Sequence, residues 1–103
     1  MAKQKTIMEG KGFVAFALSS GYELSTRRLI EVFSYTVHID GEKVTDKIEQ
    51  LRRQTGKEIV IENEGSVVPR VYVRLNKHFD VHISLEGYIV VRETDQKIII
   101  TVR

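Results

Sequence analysis

The residues of this chain whose types and spacing suit chemistry lie in its last third. His78, Asp80 and His82 stand at i, i+2 and i+4, a spacing that on a β-strand sends all three side chains to one face. Two imidazoles and a carboxylate are ligand types for zinc or iron with coordination positions left open. Around the same segment run Arg70, Tyr72 and Arg74, followed by Arg92 and Lys97. Cations interleaved with an aromatic ring suit a single-stranded nucleic acid, because the charges neutralise phosphates and the ring gives a base a flat π surface. The two chemistries compete for His82. Arg92 beside His82 opposes a dication, Asp80 has Arg74 as its expected neighbour, and His78 falls in an expected turn, so the polyanion site is favoured over the metal site.

These residues act together only if strands hold them in register. From Val67 to Arg103 polar and apolar residues alternate almost throughout, the pattern of a β-meander with one buried face. A one-residue slip turns a strand over, so loop lengths follow from keeping every apolar residue on one side. A loop of Asn63-Glu64-Gly65 sets Ile61 opposite Val67 and Ile59 opposite Pro69, which lacks an N–H and is expected at an edge or bulge. A loop of Asn76-Lys77-His78 pairs Leu75 with Phe79, Val73 with Val81 and Val71 with Ile83. Glu86-Gly87-Tyr88 is the next expected turn, pairing Leu85 with Ile89; one long strand with a bulge at Gly87 is the alternative. Thr94-Asp95 is the last, pairing Val91 with Ile98 and Ile89 with Ile100. Five strands then form an up-and-down sheet whose polar face carries one stripe of Arg70, Tyr72, Arg74, His82, Arg92 and Lys97. In it Arg74 faces Asp80, Tyr72 faces His82, Arg70 faces Ser84, His82 faces Arg92, and Arg92 faces Lys97.

Upstream, Gly12 to Leu18 is apolar on both faces and predicts a strand buried on both sides. Gly10-Lys11-Gly12 before it is too short for a phosphate loop and is expected to be a turn. A β-prone run from about Arg28 to Ile39 ends at the turn Asp40-Gly41. Val44, Ile48 and Leu51 then form the seam of a helix over 44–55, with Glu49 one turn before Arg53, Thr45 as the expected N-cap and Gly56 as the stop.

Composition bounds the class. In 103 residues there is room for one core, so a single domain is expected over 1–103, with residues 1–5 a flexible basic arm. Ile and Val number 24 against 9 for Leu and Ala, which favours a pleated, β-rich structure. Absence of cysteine excludes disulfides, thiolate metal sites and cysteine nucleophiles, and fits a reducing interior. No apolar run approaches the ~20 residues of a membrane span, so a soluble, cytoplasmic protein is expected. Net charge is +2, unevenly spread: residues 1–30 hold five basic and two acidic side chains, residues 31–66 five and eight, and residues 67–103 six and four. Such a distribution lets a fold gather positive charge on one face, although the total alone does not imply a polyanion partner.

The fold expected is α+β: an antiparallel meander or partly closed barrel of six or seven strands with one central helix. Its element order is similar to that of oligonucleotide-binding barrels, a likeness of order and not of motif. No nucleophile elbow or phosphate loop is present, and carboxylates at the helix start are explained by the macrodipole, so no enzyme and no cofactor is expected. Function is expected to be binding of single-stranded DNA or RNA through the basic and aromatic sheet face. The rival is an assembly protein, viral or from a mobile element, pairing through β-edges as a homodimer; Ile98-Ile99-Ile100 near the chain end, with Val90 and Ile99 on the polar face, argues for it.

Overall fold

The computed structural model describes residues 4–19, 28–30, 34–65, 68, 70–75 and 79–103, of which 18, 19, 28–30, 34, 71–75 and 79–81 are described in backbone only. Chain order is β1 (Lys5–Ser19), β2 (Arg28–Ile30), β3 (Ser34–Ile39), β4 (Glu42–Lys43), α1 (Thr45–Thr55), β5 (Glu58–Asn63), β6 (Arg70–Leu75), β7 (Phe79–Glu93) and β8 (Lys97–Val102). The protein is α+β, a mostly antiparallel sheet with one helix. Among the described residues eight strands take part, two of them only three and two residues long, in the order β2-β5-β8-β7-β1-β3-β4 with β6 also on β7. Among the described residues no pairing joins the ends of this path, so the sheet is open and does not close into a barrel.

A long ladder between β1 and β7, fifteen residues each, is the spine of the fold and accounts for its 45 Å long axis. The expected turn at Glu86-Gly87-Tyr88 does not form. β7 runs straight through it, as the long-strand alternative has it, but without a bulge at Gly87: the one register shift lies between Thr6 and Met8. Gly87 faces Gly12, and a Cβ there would strike the Arg103 carbonyl, so this glycine serves a close backbone approach. Gly10-Lys11-Gly12 likewise lies inside β1 and is no turn. A Cβ at Gly12 would overlap the His38 carbonyl, and one at Gly10 would overlap Asp40. The sequence up to Lys5 was expected to be a free arm, yet Lys5 already pairs with Glu93.

Along half its length β7 is flanked by β6 and along the other half by β8, both on the side away from β1. β6 pairs as expected, with Leu75 opposite Phe79, Val73 opposite Val81 and Val71 opposite Ile83. The β7–β8 register keeps the expected faces but slides by two: Val91 meets Ile100 and Ile89 meets Val102. Thr94 explains the slide, because its N–H donates to the Lys97 carbonyl and its Oγ1 accepts from Lys97 N, closing a turn over Asp95 and Gln96. Among the described residues β5 and β6 do not pair as the expected hairpin would. β5 instead runs parallel to β8 and antiparallel to β2; Ser66, Val67 and Pro69 lie outside the described residues. Ile59-Val60-Ile61 and Ile98-Ile99-Ile100 are unbroken apolar triplets, the mark of strands flanked and covered on two faces rather than of a half-solvated hairpin.

α1 follows the β3–β4 hairpin, whose turn has positive φ at Asp40 (52°) and Gly41 (83°), and carries the chain across to β5 on the far side of the sheet. Its N-cap is Val44, not Thr45; the Thr45 hydroxyl accepts the Val37 N–H at 2.7 Å and ties the helix to β3. Gly56 ends it at φ 67° with its N–H on the Arg52 carbonyl. Glu49 pairs with Arg52 at 3.2 Å rather than with Arg53. Ile48 is the buried anchor, and Val44 and Leu51 pack beside it against a core of Val14, Phe16, Val37, Ile39, Ile83, Leu85, Ile89, Val91, Ile98, Ile100 and Val102, with Ile59 and Ile61. All of these strand residues share one parity and one face.

Candidate functional site

The face opposite the core is built from four strands in the order β3, β1, β7, β6, and the registers set its residues in rows. Ser34, Ala17, His82 and Tyr72 form one row across the strands. Thr36, Ala15, Ser84 and Arg70 form the next, and His38, Phe13 and Glu86 the one after. Further along β7, Tyr88 stands opposite Lys11 and shares a pair of backbone hydrogen bonds with Arg103. Strands that are hydrogen-bonded lie about 4.8 Å apart, and successive rows about 6.7 Å apart. Gly12 makes this face possible, since it lets β3 close on β1 and brings His38 beside Phe13.

Of the six residues expected in one stripe, four keep together. Position 72 faces His82, position 74 faces Asp80, and Arg70 faces Ser84 with its side chain exposed. Arg92 and Lys97 do not join them. Because β7 does not turn back, Arg92 lies ten residues along the same strand from His82, about 33 Å away in an extended chain. Its neighbours are Thr6 and Ile99, while Lys97 faces Glu58. The expected pairs of His82 with Arg92 and Arg92 with Lys97 are therefore absent, and the stripe is two separate basic ends.

Sequence reasoning missed the most ordered feature of the face. Phe13 and His38 stack across adjacent strands with ring centroids 4.5 Å apart and planes 12° from parallel. Phe13 was assigned to a strand buried on both sides; the structure buries only the Val14 and Phe16 face and leaves Phe13, Ala15 and Ala17 partly exposed. The alternation of large and small residues in Phe13-Val14-Ala15-Phe16-Ala17 was the available signal. Beside the stack, Ala15, Phe16, Ala17, Tyr35, Thr36 and His82 line a recess of about 170 Å³. Tyr88, 41 % exposed, adds an aromatic ring further along the face.

Other parts of the molecule offer less. A recess of about 550 Å³ at the end of α1 is lined by Arg52, Arg53, Gly56, Lys57 and Glu58. Its charges are largely compensated, with Arg52 on Glu49 at 3.2 Å and the half-buried Lys57 on Glu93 at 2.7 Å. Burial, with the Glu49 carboxylate adding to it, pushes the Tyr35 phenol far above its ordinary range, so this hydroxyl stays neutral and is no nucleophile. Of the expected metal trio, His78 lies outside the described residues and Asp80 is described in backbone only. Among the described residues no three His, Cys, Asp or Glu side chains come together as a metal site, and no helix is long and apolar enough to cross a membrane.

The arrangement can offer rings, small-residue gaps and guanidinium charge to an extended, flat, anionic ligand. Compared with known proteins, the chain matches no family model, no curated protein and no solved structure.

Proposed function

We propose that this chain is a small non-enzymatic binding module that takes single-stranded nucleic acid on the face formed by β3, β1, β7 and β6. The observation that carries this reading is the convergence on that face of the stacked Phe13–His38 pair, His82 and Arg70. Positions 72 and 74 fall in register at the same end of the sheet. Rings take bases, and the guanidinium groups take phosphates. Glu86, in the row of Phe13 and His38, works against a phosphate there and favours one beside Arg70.

Assembly through β-edges has less behind it. β8 lies between β5 and β7 and so is not an edge, and Val90 is only 3 % exposed within a single chain, so neither calls for a second copy. On β6, antiparallel pairing of two copies about Tyr72 would set Arg70 opposite Arg74 of the other copy, a like-charge contact that destabilises the pair.

The test is fluorescence anisotropy of a labelled single-stranded oligonucleotide over a range of salt, with two charge-matched double variants. Arg70→Ala with Arg74→Ala is expected to weaken binding and to flatten the salt dependence by about 1.4 in the log–log slope, two phosphate contacts at roughly 0.7 each. Arg92→Ala with Lys97→Ala removes the same charge far from the face and is expected to leave the slope nearly unchanged. Equal effects from the two pairs would refute this face as the site.

A further inference from the structure

We infer that the recess over Ala15 and Ala17 is a subsite for one unpaired nucleobase. This rests on the reading of the β3–β1–β7–β6 face as a nucleic-acid surface, and it names what that face grips.

The recess follows from the registers. Ala15 and Ala17 carry only methyl groups on β1, while the strands on either side carry Thr36 on β3 and His82 on β7; Phe16 and Tyr35, whose side chains turn to the core face, border the recess between them. A trough therefore runs between a hydroxyl wall and an imidazole wall, with an apolar floor. Its 170 Å³ equals the space of about five or six liquid waters. Pockets for drug-sized ligands begin at about 300 Å³, so this one holds a single planar ring system and not a base pair. A base matches the trough chemically. Its faces are apolar π surfaces suited to methyl groups and an imidazole plane, and its edge carries donors and acceptors that a threonine hydroxyl and an imidazole can each satisfy.

The surroundings fit the rest of a nucleotide strand. Arg70 lies in the Ala15 row two strands over, about 10 Å from the trough floor. Phe13 lies two residues along β1, about 6.7 Å from Ala15, and its stack with His38 can receive the next base. A duplex keeps its bases paired and stacked and cannot fill the trough without extruding one at a cost of a few kcal/mol, so the occupant belongs to a single strand.

The experiment compares a labelled single-stranded DNA of about ten nucleotides with an abasic chain of the same length and charge, by anisotropy on the wild-type protein. Binding of the abasic chain is expected to be weaker by about tenfold or more. Equal affinity would overturn the subsite and leave the phosphate-binding surface standing. A second variant, Ala15→Val, fills the trough without changing charge. It is expected to bring the affinity for the base-bearing strand down toward that of the abasic chain, leaving abasic binding and the unfolding midpoint unchanged. Undiminished base-bearing affinity in folded Ala15→Val would overturn the subsite; should that variant fail to fold, the wild-type comparison decides alone. No binding of either chain to the wild type at low salt would sink the subsite and the nucleic-acid reading together.

Discussion

Gly12→Ala is the substitution on which the architecture of the proposed face depends most. A Cβ at this position would fall on top of the His38 carbonyl oxygen, with the Ile39 Cα also inside contact distance, and both are backbone atoms that no rotamer change can move aside. Relief requires β3 to pull away from β1 at the Gly12–Ile39 and Phe13–His38 pairs and to strain the Asp40 N–H to Lys11 carbonyl bond of 2.5 Å. Overpacking costs about 1–3 kcal/mol, and weakening two backbone hydrogen bonds adds roughly 0.5–1.5 each, so a loss of about 2–6 kcal/mol is expected. That is a large fraction of the 5–15 kcal/mol typical of a domain. Gly56→Ala is the matched control. Its glycine has a φ of 67° but nothing within 4 Å of an added Cβ, so only the left-handed backbone penalty of about 1 kcal/mol applies. Urea unfolding of the two variants beside the wild type reads both numbers. A Gly12→Ala protein no less stable than Gly56→Ala would refute the close approach of β1 and β3, and with it the Phe13–His38 stack.

Tyr35→Phe should stabilise the protein by about 1 kcal/mol at neutral pH, because the buried hydroxyl it removes has no hydrogen-bond partner. The gain should grow above pH 10.0: the folded state raises the Tyr35 pKa from that value, so this group's contribution is fully present below it and is lost as pH climbs past it. Parallel thermal melts at neutral and alkaline pH check both parts, and a destabilised Tyr35→Phe would contradict the unpartnered hydroxyl. Ile48→Ala empties the one fully buried position of α1 and should cost about 2–5 kcal/mol in chemical denaturation; a cost under about 1 kcal/mol would mean that the helix does not anchor on the sheet as described.

Which parts of this structure could be read from the sequence depends on how local their causes are. Helix α1 was legible because an apolar seam and a terminal glycine are properties of a dozen neighbouring residues. The β6–β7 register was legible for the same reason, since parity across one short loop fixes it, and with it the backbone placement of positions 70, 72, 74 and 82. The remainder depended on distant contacts. Gly87 reads as a turn until the carbonyl of Arg103 and the backbone of Gly12 are placed against it, and only then is it a close-approach position in a straight strand. Moving that one turn separates Arg92 from His82. Ile59-Val60-Ile61 reads as half of a hairpin until β8 lies beside it in parallel, and no local pattern names that partner. Phe13 and His38 are 25 positions apart in the chain, and no local pattern around either residue names the other as its partner.

The central claim is that the β3–β1–β7–β6 face is where a single strand of nucleic acid sits. Amide chemical-shift mapping of the labelled protein, titrated with an unlabelled single-stranded oligonucleotide, tests it most directly. The largest shifts are expected on Phe13, Ala15, Ala17, Thr36, His38, Arg70, His82 and Ser84, with Arg92, Lys97 and Ile99 nearly still. Shifts concentrated at Arg92 and Lys97 or along α1, or no shifts at any concentration of oligonucleotide, would contradict it.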